Sequence, residues 1–202
     1  MATAVKTVPG VEYIPSDRLY RLTVEQYHHM IEAGVLVEGA PVELLEGLLL
    51  TKMTKNPSHD VALDLTREAL EELLPSGWRV RVQSAITTAD SEPEPDLAVV
   101  VGPARRYLKA HPRPKEIALL VEVADASLFE DRGRKARIYA RARIPVYWIV
   151  NVKESKVEVY TDPKGGKSPA YSQQHDYGIG ESVPLIIEGE EIGRIPVKEL
   201  LP

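Results

Sequence analysis

The sequence predicts an α/β fold, with helices packed about one mixed β-sheet. Residues 97–101 and 117–123 are apolar at nearly every position, as are central strands covered on both faces. Stretches with helical spacing of apolar residues flank them, in the order helix, hairpin, helix, three strands, helix, two strands. That order fits helices layered on a sheet.

Taken in order, residues 1–21 hold Pro9, Gly10 and Pro15 without a sustained period and read as an N-terminal arm. Residues 22–202 then read as a single domain, long enough to bury a sizeable core. Thr23 caps a short helix, Gln26 completes a capping box, and Gly34 ends it. Residues 42–45 and 48–51 flank Glu46-Gly47, a tight hairpin turn. Ser58 is expected to cap a second helix whose apolar positions are Val61, Leu65, Ala69, Leu70 and Leu73. Residues 78–87 alternate as a strand, and Ser91-Glu92-Pro93-Glu94-Pro95 keeps the chain extended into Asp96. Residues 102–115 are a Pro-rich, basic loop. A helix over about 131–143 stops before Pro145, and 146–152 with 156–160 form a hairpin around Lys153-Glu154-Ser155. Residues 163–169 are a loop, followed by small strands and a terminal turn.

Composition narrows the chemistry. With no cysteine among 202 residues, disulfides and thiolate metal sites are excluded. The longest apolar runs are too short to span a bilayer, and the start lacks the apolar core of a secretion signal; a cytoplasmic protein without membrane partners is expected. A net charge of −5 argues against non-specific coating of nucleic acid. Charge is unevenly spread, however: residues 131–143 carry Arg132, Arg134, Lys135, Arg137, Arg141 and Arg143 against the single acid Asp131.

The residues that point to function are Asp96, Glu122 and Lys135. Two carboxylates on apolar strands need a partner, because burying a bare charge costs several kcal/mol. A divalent cation is one such partner: Mg²⁺ is held by one or two carboxylates with waters and substrate phosphate, and the Val123 carbonyl offers a further oxygen. The alternative is that Glu122 pairs with an arginine and Asp96 caps a turn after Pro95. Lys135 bears on that choice. On a helix it shares a face with Ile138, Tyr139 and Ala142, and a lysine in a buried stripe needs an anionic partner unless it snorkels from the helix start. Arg134, Arg137 and Arg141 fall on the other side, toward solvent or a polyanion.

Asp96, Glu122 and Lys135, in this order, resemble the PD-(D/E)xK nuclease superfamily. Within it, VELLEGLLL, NPSHD, SEPEPDLAVVV, LLVEVADAS, DRGRKARIYARARIPVYWIV and KVEVY resemble the bacterial family named "putative restriction endonucleases", over roughly residues 22–160. The resemblance implies a restriction-endonuclease-like central mixed β-sheet flanked by helices, with the nuclease core over about 40–160. It also implies Mg²⁺-dependent hydrolysis of phosphodiester bonds in nucleic acid, DNA foremost, with Mn²⁺ as a substitute. Asp96 matches the aspartate of the Pro-Asp step and Glu122 the acid of the next strand. The superfamily lysine belongs two residues after Glu122, where Ala124 stands instead; Lys135 matches a lysine moved to the helix. Glu43 matches an acid of the early hairpin and is either an outer metal ligand or an exposed strand residue. His59, at the start of the second helix, binds phosphate, assists proton transfer or is structural. Gln83, Glu94 and Asp125 are minor candidates, while Tyr139, Tyr147 and Trp148 read as core aromatics. Arg134, Arg137 and Arg141, or the loop at Arg105, Arg106 and Lys109, would grip flanking phosphates. A homodimer is expected, since symmetric pairs dominate soluble oligomers.

Two other classes compete. One is a catalytically inactive nucleic-acid-binding module that keeps the nuclease fold, which Ala124 favours. The other is a glycosidase-type carboxylate pair, to which the two tryptophans of the chain offer little sugar-stacking surface. No G-x-S-x-G elbow or phosphate-binding glycine–lysine loop is present.

Overall fold

The computed structural model describes residues 18–37 and 39–202; residues 1–17 of the expected arm lie outside them. Helix α1 (Val24–Glu32) starts with the expected capping box: the Gln26 backbone N–H donates to Thr23 Oγ1 and the Thr23 N–H to Gln26 Oε1. Strands β1 (Val42–Leu45) and β2 (Leu48–Thr51) form an antiparallel hairpin. Its turn uses Glu46 and Gly47 at φ 51° and 76°. A Cβ on Gly47 would lie 2.7 Å from Arg21 Cβ, so both the turn and its packing require glycine.

Helix α2 (Pro57–Leu73) corrects two expectations. Its N-cap is Asn56, not Ser58: the Asn56 side chain accepts the His59 N–H at 3.0 Å, and Pro57 occupies the first turn, where a missing N–H costs nothing. Its buried face is His59, Ala62, Leu63, Thr66 and Leu70, rotated from the predicted stripe, and Val61 is 46% exposed. Strand β3 (Trp78–Val82) is shorter than predicted because Gln83 takes φ 44°, a left-handed conformation that breaks the strand.

Strands β4 (Leu97–Val101) and β5 (Ile117–Ala124) are the buried centre. The predicted helix after β5 is a composite: α3 (Leu128–Glu130), a π-helical turn over Asp131–Lys135, and α4 (Ala136–Arg141). Strands β6 (Val146–Asn151), β7 (Lys156–Lys164) and β8 (Ala170–Gly178) follow, then the separate hairpin β9 (Ser182–Ile187) and β10 (Glu190–Pro196). The six-stranded sheet has the order β3-β4-β5-β6-β7-β8. Only β5 and β6 pair in parallel, linked over one face by the composite helix. The fold is thus the mixed sheet flanked by helices that the sequence predicts.

Alternation sorts the core into two layers. Leu119, Val121 and Val123 of β5 pack with α2 and the β9–β10 hairpin. Leu120 and Ala124 point the other way, toward Leu45, Ala136, Ile138 and Tyr139. Glu122 shares the parity of Leu120 and Ala124, which turns its carboxylate toward the face that the composite helix covers.

The rotated face of α2 gives a direct test. Leu70→Ala should cost about 2–5 kcal/mol in urea unfolding, whereas Val61→Ala should stay within about 0.5 kcal/mol. Equal losses at the two positions would refute the assigned face.

Candidate active site

Strand register sets the site. Leu97 pairs with Val121 in an antiparallel ladder, so Asp96, one residue earlier, stands across from Glu122 on the same face. Both are buried, at 6% and 2% exposure. With Glu43, Asp131, His59, Lys55, Arg134 and Lys135 they line one cavity of about 540 Å³.

Asp96 is held from several sides. Its Oδ2 accepts the Val123 backbone N–H at 2.9 Å and lies 3.1 Å from His59 Nε2, while Oδ1 lies 3.2 Å from Lys55 Nζ. Burial alone would raise its pKa, but His59, the Val123 N–H and Lys55 outweigh that and hold it at about 2. Burial works against a charged His59, yet its hydrogen bond to Asp96 leaves its pKa above the ordinary histidine value.

Glu122 is surrounded differently. Tyr139 donates its hydroxyl to Oε1 at 2.6 Å, and Lys135 Nζ lies 3.0 Å from Oε2 and 3.8 Å from Asp131 Oδ1. Burial pushes the Glu122 carboxyl up to about 8; Lys135 opposes the rise, and the charges of Asp131 and Asp96 add to it. Burial likewise takes Asp131 to about 6. Lys135, whose pKa burial alone would lower, is held above the ordinary lysine value by Glu122, Glu43, Asp131 and Asp96. These directions have one cause. Four carboxylates crowd one buried ammonium, so the lysine keeps its proton and the acids compete for another positive charge.

That charge deficit and the all-oxygen donor set fit a hard divalent cation. Among the described residues no group of three or more acidic or histidine side chains is arranged to enclose an ion. Two carboxylates with open positions beside them are the arrangement Mg²⁺ takes, since it retains waters and substrate oxygens.

The other predicted residues sort into two groups. Glu43 is buried rather than exposed, lines the cavity, and accepts the Glu94 N–H at 3.1 Å. Val123 lines the cavity too, as do Gln83, Glu94 and Asp125. Arg134 stands at the wall, paired with Glu130 at 3.3 Å. Arg137 and Arg141 are part-exposed and both clamp Glu46, at 2.6 and 3.1 Å, and Arg141 also holds Asp90 at 2.9 Å. Glu46 is therefore an ion-pair hub as well as a turn residue. In the 102–115 loop, Arg106 is paired with Glu116 at 2.8 Å. Tyr139 is a core aromatic with a polar duty. Sequence reasoning missed Lys55 and Asp131. The spacing of Asp131, four residues before Lys135 and on its helical face, was the available signal for the second.

A family model, Uma2, described as "Putative restriction endonuclease", matches residues 24–189. The chain belongs to the Uma2 family. A crystal structure of a putative nuclease of the DUF820 group from Anabaena variabilis is similar to it in fold. That similarity has a TM-score of 0.60 at 16% identity and covers 89% of this chain and 97% of the other. No curated protein matches the chain. Membership of Uma2 makes a nuclease-type hydrolase the general class of this protein, in agreement with the resemblance read from Asp96, Glu122 and Lys135.

Glu122 makes stability depend on pH. Its folded pKa of about 8 lies above the ordinary 4.5, so its contribution is complete below the ordinary value and is lost as pH rises through the folded one. In chelator, the unfolding free energy of wild type relative to Glu122→Gln should fall by up to about 1.4 kcal/mol per pH unit across that window. In the unfolding free energy of wild type itself Asp131 adds a fall between 3.8 and about 6 and Asp96 contributes in the opposite sense between 3.8 and about 2, but both acids are present in Glu122→Gln and largely cancel in the difference. A difference that does not change with pH would exclude the protonation assigned to Glu122.

Proposed function

We propose that this Uma2 protein is a divalent-cation-dependent nuclease that hydrolyses phosphodiester bonds of nucleic acid, with DNA as the first substrate to test. One observation carries the reading: Asp96, Glu122 and Lys135, far apart in sequence, line one solvent-accessible cavity. When bound by Asp96 and Glu122, with the Val123 carbonyl as a further oxygen, Mg²⁺ or Mn²⁺ supplies Lewis acidity toward the scissile phosphate and acidifies a water.

The chain's own residues would do the rest. Lys135 stabilises charge that grows on a phosphate oxygen, inside a walled cavity where such charge is poorly screened. Its ammonium orients the attacking water by hydrogen bonding. His59 and the Val123 N–H fix the Asp96 carboxylate, so its orientation is set before substrate arrives. Lys55 and Arg134, on the cavity wall, attract the flanking phosphates. Arg137 and Arg141 act at one remove, anchoring α4 to the β1–β2 turn.

A second reading, a module that binds nucleic acid without cutting it, draws on Ala124, which is fully buried beside Glu122 where the superfamily lysine would stand. Lys135 at 3.0 Å from Glu122 supplies an amine there by another route, which favours catalysis.

Purified protein incubated with plasmid and with single- and double-stranded oligonucleotides should cut when Mg²⁺ or Mn²⁺ is present and stop cutting in chelator. Asp96→Asn and Lys135→Met should each lower the rate by about 100-fold or more. Undiminished cleavage by Asp96→Asn would remove the proposed site; salt-sensitive binding with no cleavage would select the second reading.

A further inference from the structure

Asp131 is 1% exposed, and neither of its carboxylate oxygens accepts a well-formed hydrogen bond, although the Ser127 side chain lies close enough to favour its charged form. Buried polar groups are nearly always satisfied, and each exception asks for an explanation. Here the position is imposed from outside the side chain. The Asp131 N–H donates to the Ser127 carbonyl at 3.1 Å, the Tyr147 hydroxyl donates to the Asp131 carbonyl at 3.2 Å, and the next residue, Arg132, is locked to the buried Glu158. The residue also opens the π-helical turn that ends at Lys135, a distortion that often marks functional positions.

The neighbour of this orphaned carboxylate is the Lys135 ammonium, 3.8 Å from Asp131 Oδ1 and 3.0 Å from Glu122 Oε2. Glu122 has both oxygens engaged, Oε1 by Tyr139 and Oε2 by Lys135. If Glu122 is to hold a divalent cation, the ammonium beside Oε2 becomes a like charge next to the ion, and the repulsion is strong where water does not screen it. Asp131 Oδ1 is an acceptor less than an ångström farther away than Glu122 Oε2.

We infer that Asp131 is a positioning residue that receives the Lys135 ammonium when a divalent cation occupies Glu122. This rests on the cation-dependent reading above and deepens it. Asp131 does not bind the ion; it acts through the lysine, and keeps the amine at the site while Glu122 changes partner. It also explains why a carboxylate that accepts no well-formed hydrogen bond is held beside the cavity.

The test measures Mn²⁺ binding by calorimetry on wild type, Asp131→Asn, Lys135→Met and the double variant, with melting in chelator as the control for folding. Asp131→Asn should melt no lower than wild type, since its charge makes no hydrogen bond in the resting site. It should bind Mn²⁺ about tenfold more weakly or worse. In the Lys135→Met background the same change should alter affinity less than about twofold, because no ammonium remains to be received. Unchanged binding by Asp131→Asn overturns the inference. So does a loss that persists without Lys135, which would make Asp131 a ligand itself. Wild type that binds no Mn²⁺ overturns the inference together with the reading it rests on, whereas binding by wild type and Asp131→Asn alike overturns the inference alone. A crystal of wild type grown with Mn²⁺ gives a readout free of any variant: Nζ should lie closer to Asp131 than to Glu122, and retained 3.0 and 3.8 Å separations refute the transfer.

Discussion

Two carboxylates facing each other across adjacent central strands are the constraint on which this structure turns. The β4–β5 register sets Asp96 opposite Glu122, and a pair of buried like charges would oppose folding by several kcal/mol if left alone. The chain resolves the conflict asymmetrically. Asp96 is given donors, namely His59, Lys55 and the Val123 N–H, and stays ionised to about pH 2. Glu122 is given one ammonium, shared with Asp131, and one hydroxyl, and burial raises it to about 8. Two acids of similar intrinsic strength are thereby driven apart, which is the pattern environments impose where carboxylates have work to do.

The surrounding architecture maintains this arrangement. Because β5 and β6 run parallel, the link between them must cross one face of the sheet, and that link carries Asp131, Lys135 and Tyr139 over Glu122. Two clamps fix it there. Arg132 ties the π-helical turn to Glu158 of β7, and Arg137 with Arg141 ties α4 to Glu46 at the β1–β2 turn. The second clamp also seats the hairpin that contributes Glu43. These arginines form the basic run that is conspicuous in the sequence, yet most of that charge is spent internally.

The sheet was legible from sequence because its central strands are apolar on both faces, and so was Lys135, because a lysine inside an apolar helical stripe announces a buried anion. What could not be read was whatever depends on long-range pairing. Arg137 and Arg141 lie on the helix face opposite the core, and periodicity cannot reveal that Glu46, 91 and 95 residues earlier, comes to meet them. The stripe of α2 was misread for a related reason: Val61 is apolar but unburied, and the face is instead set by small Ala62 and by Thr66, whose hydroxyl bonds back to the Ala62 carbonyl at 2.7 Å. Asp131 was hidden by composition, as a lone acid in a basic run, although its four-residue spacing to Lys135 was visible throughout.

Under the proposed function, an amine supplied from the helix rather than the strand has a physical reading. What a phosphate-cleaving site requires of a lysine is the position of its ammonium, not its place in the chain. At position 124 a side chain on the Glu122 face enters the packed layer formed by Ala136, Ile138 and Tyr139, and the alanine there is completely buried. Supplying the amine from the helix keeps that layer apolar and brings the ammonium to 3.0 Å from the same carboxylate. It also gives the lysine a second anion on its own helical turn, which a strand, whose neighbouring side chains alternate between faces, could offer only from two residues away.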